Sequence, residues 1–131
     1  MKNIEKYIPI ALAVLNDDQL CIVKNKMIDK TYNGYISSFG ASIISSGLLP
    51  TFIFYSKKAE NHNEADRSLI LKALEKMLKN NEIAILQYDE NILQKAITHY
   101  SNTRFKQKIQ ECAIALKLAI RTYPHPKEKN D

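Results

Sequence analysis

The sequence predicts an all-α fold, a single bundle of about five to seven helices. Only three glycines and four prolines occur in 131 residues, below the usual shares of about 7% and 5%, so a turn-rich β architecture would lack its turn residues. Apolar residues recur at spacings of three and four along most of the chain, the pattern of helices that bury one face. The longest apolar run, residues 48–55, contains Pro50 and falls far short of the roughly 18 to 20 residues a membrane span requires, so no membrane association is expected. With 45% hydrophobic residues the chain has enough material for one core and too little for two. Residues 1–123 therefore read as one helical domain and 124–131 as a disordered tail.

Each element follows from local signals. Ile4, Tyr7, Ile8, Ala11, Leu12 and Leu15 share one face of a first helix, with Pro9 either kinking it or marking its first turn. Residues 7–15 could pass for a secretory signal, but Glu5 interrupts the basic region and no small-x-small site follows. The segment reads as mature cytoplasmic sequence. Asp17 or Asp18 would cap a second helix with Leu20, Val23, Met27 and Ile28 inward, and Asn33-Gly34 offers a break. Tyr35, Ile36, Phe39, Ile43 and Ile44 resume the helical pattern until Gly47 and Pro50 bracket one helix end and the next start. Leu49, Phe52, Ile53, Phe54 and Tyr55 are apolar on all sides and read as a short central helix. After the connection Asn61-His62-Asn63, Asn63 would cap a helix with Ile70, Ala73, Leu74, Met77 and Leu78 inward. Residues 83–86 are too few for an unpartnered strand and read as a buried connection. Asp89 would cap a short helix reaching His99. The last helix begins near Ser101 and places Phe105, Ile109, Cys112, Ala113, Leu116, Ile120 and Tyr123 within an arc of about 100°. Pro124 and Pro126 stop it.

All three glycines fall between 34 and 47, among Ser37, Ser38, Ala41, Ser42, Ser45 and Ser46. A helix surface this small predicts close helix packing; no Gly-x-x-x-x-Gly-Lys pattern points to a phosphate loop. Cys21 and Cys112 sit in apolar patterns without metal-type spacing and read as buried free thiols. His62, His99 and His125 lie in separate connections, so neither a metal site nor a cofactor is expected. No serine or cysteine stands in a nucleophile motif, and the carboxylate pairs Asp17-Asp18 and Asp89-Glu90 suit helix starts, so no catalytic residue is assigned. Small helical ribonucleases of the HEPN class pair an arginine with a histidine at a wider spacing than Arg121 and His125 show here.

The net charge of +5 is unevenly spread. Residues 1–90 carry 11 bases and 11 acids, whereas Lys95, Arg104, Lys106, Lys108, Lys117 and Arg121 face the single acid Glu111 between 91 and 123. On the last helix Lys106, Gln110, Lys117 and Arg121 project within about 60° of one another, beside the apolar arc. A solvated basic face is one reading of that stripe. Sequence-independent phosphate contact is the other.

The segment 32–51, above all Gly47-Leu48-Leu49-Pro50 leading into Phe52, Phe54, Tyr55 and then Ser56-Lys57-Lys58, resembles the signature of one family. It is the small helical subunit of the type III-B CRISPR effector, the fifth protein of the Cmr (RAMP module) complex. Ala65-Asp66-Arg67 and residues 111–121 are similar too, although members often carry a tryptophan in the last helix and this chain has none. The resemblance implies a non-catalytic cytoplasmic subunit, present in several copies, that forms the inner filament beside other Cmr proteins. It also implies that the protein lines the path of target single-stranded RNA paired with crRNA, while cleavage belongs to the backbone subunit. The RNA contacts expected on this basis are Lys106, Lys117 and Arg121 from the stripe, Lys57 and Arg67 from the motif flanks, and Lys24 and Lys26 as weaker candidates. An independent helical interaction module and a small ribonuclease are the alternatives.

Overall fold

A computed structural model describes residues 2–60 and 65–127 of the chain. Six helices and one minimal hairpin follow in the order α1 (Lys2–Leu15), β1 (Val23–Lys24), β2 (Met27–Ile28), α2 (Thr31–Ser46), α3 (Leu48–Tyr55), α4 (Ser68–Lys79), α5 (Ile92–His99) and α6 (Thr103–Ile120). The long C-terminal helix α6 is the centre of the bundle. It packs on α1, α2 and α4, while α3 fills the space between α2, α4 and α5. Phe105, Ile109, Cys112, Leu116, Ala119 and Ile120 carry its inner face, and Ile70, Leu74, Met77 and Leu78 of α4 join them in one continuous core. Among the described residues no helix is long and apolar enough to cross a membrane.

The expected second helix is instead a hairpin. Val23 pairs with Ile28 and Lys24 with Met27, antiparallel, around the turn residues Asn25 and Lys26, whose φ values are 54° and 61°. Two consecutive left-handed residues close the turn whose twist matches a two-residue hairpin, and asparagine tolerates that conformation well. Leu20, Ile22 and Ile28 are buried, and alternation from 20 to 24, rather than a 3.6-residue repeat, is the period that survives. Cys21 consequently points outward at φ 64° and is exposed, so only Cys112 is a buried thiol.

Other boundaries moved for equally local reasons. The helix α2 runs straight through Asn33-Gly34, begun by the Asp29 carboxylate, which accepts from Thr31 N at 2.8 Å. Pro9 lies within α1 rather than in its first turn. Asn91, not Asp89, caps α5, accepting from Leu93 N and Gln94 N, and Asn102, not Ser101, caps α6, accepting from Phe105 N. Both asparagines hold the extended backbone of a cap, where a short side-chain acceptor reaches the free amides of the first turn. The proposed cap Asn63 and His62 lie outside the described residues; α4 opens at Ser68, whose N and Oγ both donate to Asp66 Oδ1.

The corner between α2 and α3 turns on Gly47, at φ 101°, a conformation that strains residues with a Cβ. The Thr51 hydroxyl donates to Gly47 O at 2.8 Å and lies 2.7 Å from Ser42 Oγ, tying the two helices across the corner. Phe52 stacks on Phe39 with centroids 5.8 Å apart, and the Tyr55 ring meets Phe39 edge-on at 5.1 Å. Pro124 and His125 return to the hairpin, Ile28 N donating to Pro124 O at 3.0 Å and His125 Nδ1 lying 2.9 Å from Ile28 O.

Phe52→Ala, which empties a fully buried site against Phe39, is expected to lower stability by about 3 to 5 kcal/mol in a urea titration. Burial pushes the Cys112 thiol up to about 12 from 9.0. The unfolded chain therefore ionises first as pH rises past 9.0, and stability falls over that range. Native protein treated with iodoacetamide near pH 8 should accept one label, at Cys21, and denatured protein two, counted by mass spectrometry.

Candidate nucleic-acid interface

The bases of the charged C-terminal region divide into those used by the fold and those left over. Lys95 pairs with Glu90 at 3.1 Å. Lys108 donates to the Tyr7 hydroxyl at 2.8 Å, lies 5.3 Å from the centre of that ring and stands 3.3 Å from Glu111 Oε1. Its ammonium is held above the ordinary lysine range, first by the hydrogen bond to Tyr7 and then by Glu111. Glu111 is itself buried and accepts from Asn3 Nδ2 at 3.2 Å. The only acid of the region is thus turned toward α1 and neutralised there. Arg104, Lys106, Lys117 and Arg121 make no ion pair among the described residues.

Packing of α6 against α2 leaves an open groove of about 410 Å³, lined by Ile36, Ser37, Gly40, Ala41 and Ile44 on one side and Gln110, Ala113, Ile114 and Lys117 on the other. The wall contributed by α2 contains no charged residue, so it does not offset the bases of α6. A Cβ placed on Gly34 or Gly40 would meet nothing within 4 Å. The close packing expected of the small-residue stretch is met at Ser42, which contacts Thr51 of α3, and not at Gly34 or Gly40; Ser37, Gly40 and Ala41 line the groove instead. Ile44, expected inward, is 79% exposed at its rim.

The other predicted contacts lie elsewhere. Lys57 and Arg67 line a second hollow of about 220 Å³ with Tyr35, Lys58 and Glu60. Tyr35 falls about 180° around α2 from Ile44, so this hollow opens on the side of α2 away from the groove. Arg67 is already engaged, its Nε donating to Phe54 O at 2.8 Å and its guanidinium carbon 3.9 Å from the centre of the Phe54 ring. Lys24 lines a third hollow with Asp29 and Tyr32, and Lys26 is exposed in the hairpin turn. The structure thus gathers Lys106, Lys117 and Arg121 along one helix edge, brings Lys57 and Arg67 together, and leaves Lys24 and Lys26 apart from both.

Two features escaped the sequence reading. Ser37 presents a hydroxyl-bearing residue to the groove, and its one signal is the uncharged composition of α2. Ile53 and Phe54 stand in an all-apolar run that reads as core, yet they are 61% and 55% exposed. The His125 ring is engaged on both sides, Nδ1 by Ile28 O and Nε2 by Asn33 Nδ2 at 3.3 Å. Among the described residues no group of three or more His, Cys, Asp or Glu is placed to hold a metal ion.

Comparison with known proteins gives one positive result. The model of the family described as CRISPR-associated protein (Cas_Cmr5) matches residues 18–119. No curated protein and no solved structure matches the chain.

The division of the bases is testable by stability alone. Lys108→Met leaves Glu111 buried without its ion pair and is expected to cost about 3 kcal/mol. Lys106→Met removes no partner and should stay within about 0.5 kcal/mol of the parent, both read from chemical denaturation.

Proposed function

The chain belongs to the CRISPR-associated Cmr5 family, and from that premise we propose that it is a non-catalytic subunit of the type III-B Cmr complex that holds target RNA by its phosphates. The observation that carries this reading is that Lys106, Lys117 and Arg121, which make no ion pair among the described residues, share one helix edge by their spacing, with Lys117 lining a groove whose opposite wall bears no charge. Among the described residues, a polyanion approaching that edge meets the cations of α6 and no carboxylate from α2, the arrangement that sequence-independent backbone contact needs. Specificity then lies in base pairing between crRNA and target, and the protein holds the strand without reading it. Several copies form the inner filament beside the other Cmr proteins in the cytoplasm, each adding a few contacts, and avidity comes from the array. Lys57 adds to the surface from the second hollow. Lys24 and Lys26 are remote from the stripe and contribute least.

The alternative of a helical interaction module draws on Ile44 and Ile114, 79% and 45% exposed at the same groove. Within the complex these side chains serve contact with a neighbouring subunit. The ribonuclease alternative has little to rest on, because the ring nitrogens of His125 are turned to Ile28 and Asn33.

In the assembled complex, Lys106→Ala, Lys117→Ala and Arg121→Ala together should reduce the slope of log affinity against log salt for single-stranded RNA by about 2, at about 0.7 per lost phosphate contact. An unchanged slope and affinity would rule the stripe out. Purification through a tagged copy should recover a ribonucleoprotein with guide RNA; a single protein partner without RNA would favour the interaction module.

A further inference from the structure

Phe54 is fixed in place without being covered. Its ring is 55% exposed, yet Arg67 clamps it, Nε donating to Phe54 O at 2.8 Å while the guanidinium carbon sits 3.9 Å from the ring centre. Tyr55 also meets the ring, at 5.4 Å and an interplanar angle of 71°. Tyr55 is buried and itself anchored, its hydroxyl donating to Tyr35 O at 2.7 Å. The result is a preorganised aromatic and guanidinium platform, and ordering it again on binding costs little side-chain entropy.

The charges around the platform favour one kind of guest. Lys57 and Lys58 follow Phe54 by three and four residues and are exposed, and with Arg67 they outnumber the one carboxylate, that of Glu60, among the described residues lining the hollow. A hydrophobic helix docking on Phe54 would have to desolvate these cations. A nucleotide presents a flat π face to the ring or the guanidinium plane and an anion to the ammonium groups.

We propose that the Phe54–Arg67 pair is a stacking site for one unpaired nucleobase of single-stranded RNA, with Lys57 and Lys58 on the adjoining phosphates. This rests on the reading of the protein as an RNA-holding subunit and changes the role of Arg67 within it, from phosphate clamp to stacking plane. Because the hollow opens away from the α2–α6 groove, the stacked base belongs to a different stretch of RNA from the one held along the stripe. Stacking tolerates any base, so the site adds affinity without adding sequence preference.

The test compares oligoadenylate with an abasic ribose-phosphate oligomer of equal length, by fluorescence anisotropy on the full chain and on the assembled complex. Phe54→Ala should weaken oligoadenylate binding about 5- to 150-fold, leave the abasic oligomer and the salt slope unchanged, and be rescued by Phe54→Tyr. No loss on oligoadenylate, or equal loss on both oligomers, overturns the stacking site. If the Lys106, Lys117 and Arg121 variant still weakens both oligomers in that case, the phosphate reading stands alone; if the parent binds neither, both fail. Loss of complex assembly without a base-dependent effect assigns the ring to a protein contact and also overturns it.

Discussion

Burial of α6 is the constraint on which the rest of the molecule depends. With α1, α2 and α4 packed around it, most of its circumference must be apolar, and the strip that remains is the only place its charges can stay hydrated. A charge that cannot reach that strip must be compensated inside. Lys108 and Glu111 are the instance: they meet each other, Tyr7 and Asn3 at the α1 side, so the pair joins the two helices instead of straining them. Removing the acid from the surface in this way is also what leaves the outer edge of α6 without a carboxylate.

The second wall of the interface comes from α2, and its lack of charge has two consequences. One face, through Tyr32, Ile36, Phe39 and Ile43, is buried. Around the helix from it, Ser37, Gly40 and Ala41 line the groove and carry no charge, and a Cβ at Gly40 would meet nothing within 4 Å. The corner at Gly47 holds this wall in position, since the Ser42–Thr51–Gly47 contacts tie α2 to α3 and Phe52 then wedges under Phe39. A single family signature segment thus supplies a structural corner on one side and a surface on the other.

Much of this was legible in the linear sequence where the signal was periodic. The inward set of α4 and, as far as Ile120, that of α6 follow from 3.6-residue spacing, although α6 ends before Tyr123, and Gly47 with Pro50 marks the break between α2 and α3. Legibility failed where the decisive information lay in non-local contacts. The hairpin at 23–28 depends on left-handed turn residues that composition does not distinguish from a helix loop. Phe54 and Ile44 share their apolarity with core neighbours, and only the absence of a covering element separates them. Gly34 and Gly40, which predict close packing, instead border open space.

By itself the sequence determined the helical class, the faces of the long helices and the location of the surplus positive charge, because each depends on residue type and short-range spacing alone. Tertiary structure decided which bases of α6 make no ion pair among the described residues, that Ser37, Gly40 and Ala41 line a groove, that Cys21 is outside, and that Arg67 lies over Phe54. These outcomes turn on which elements meet across long stretches of chain, and burial, pairing and exposure exist only once they have met.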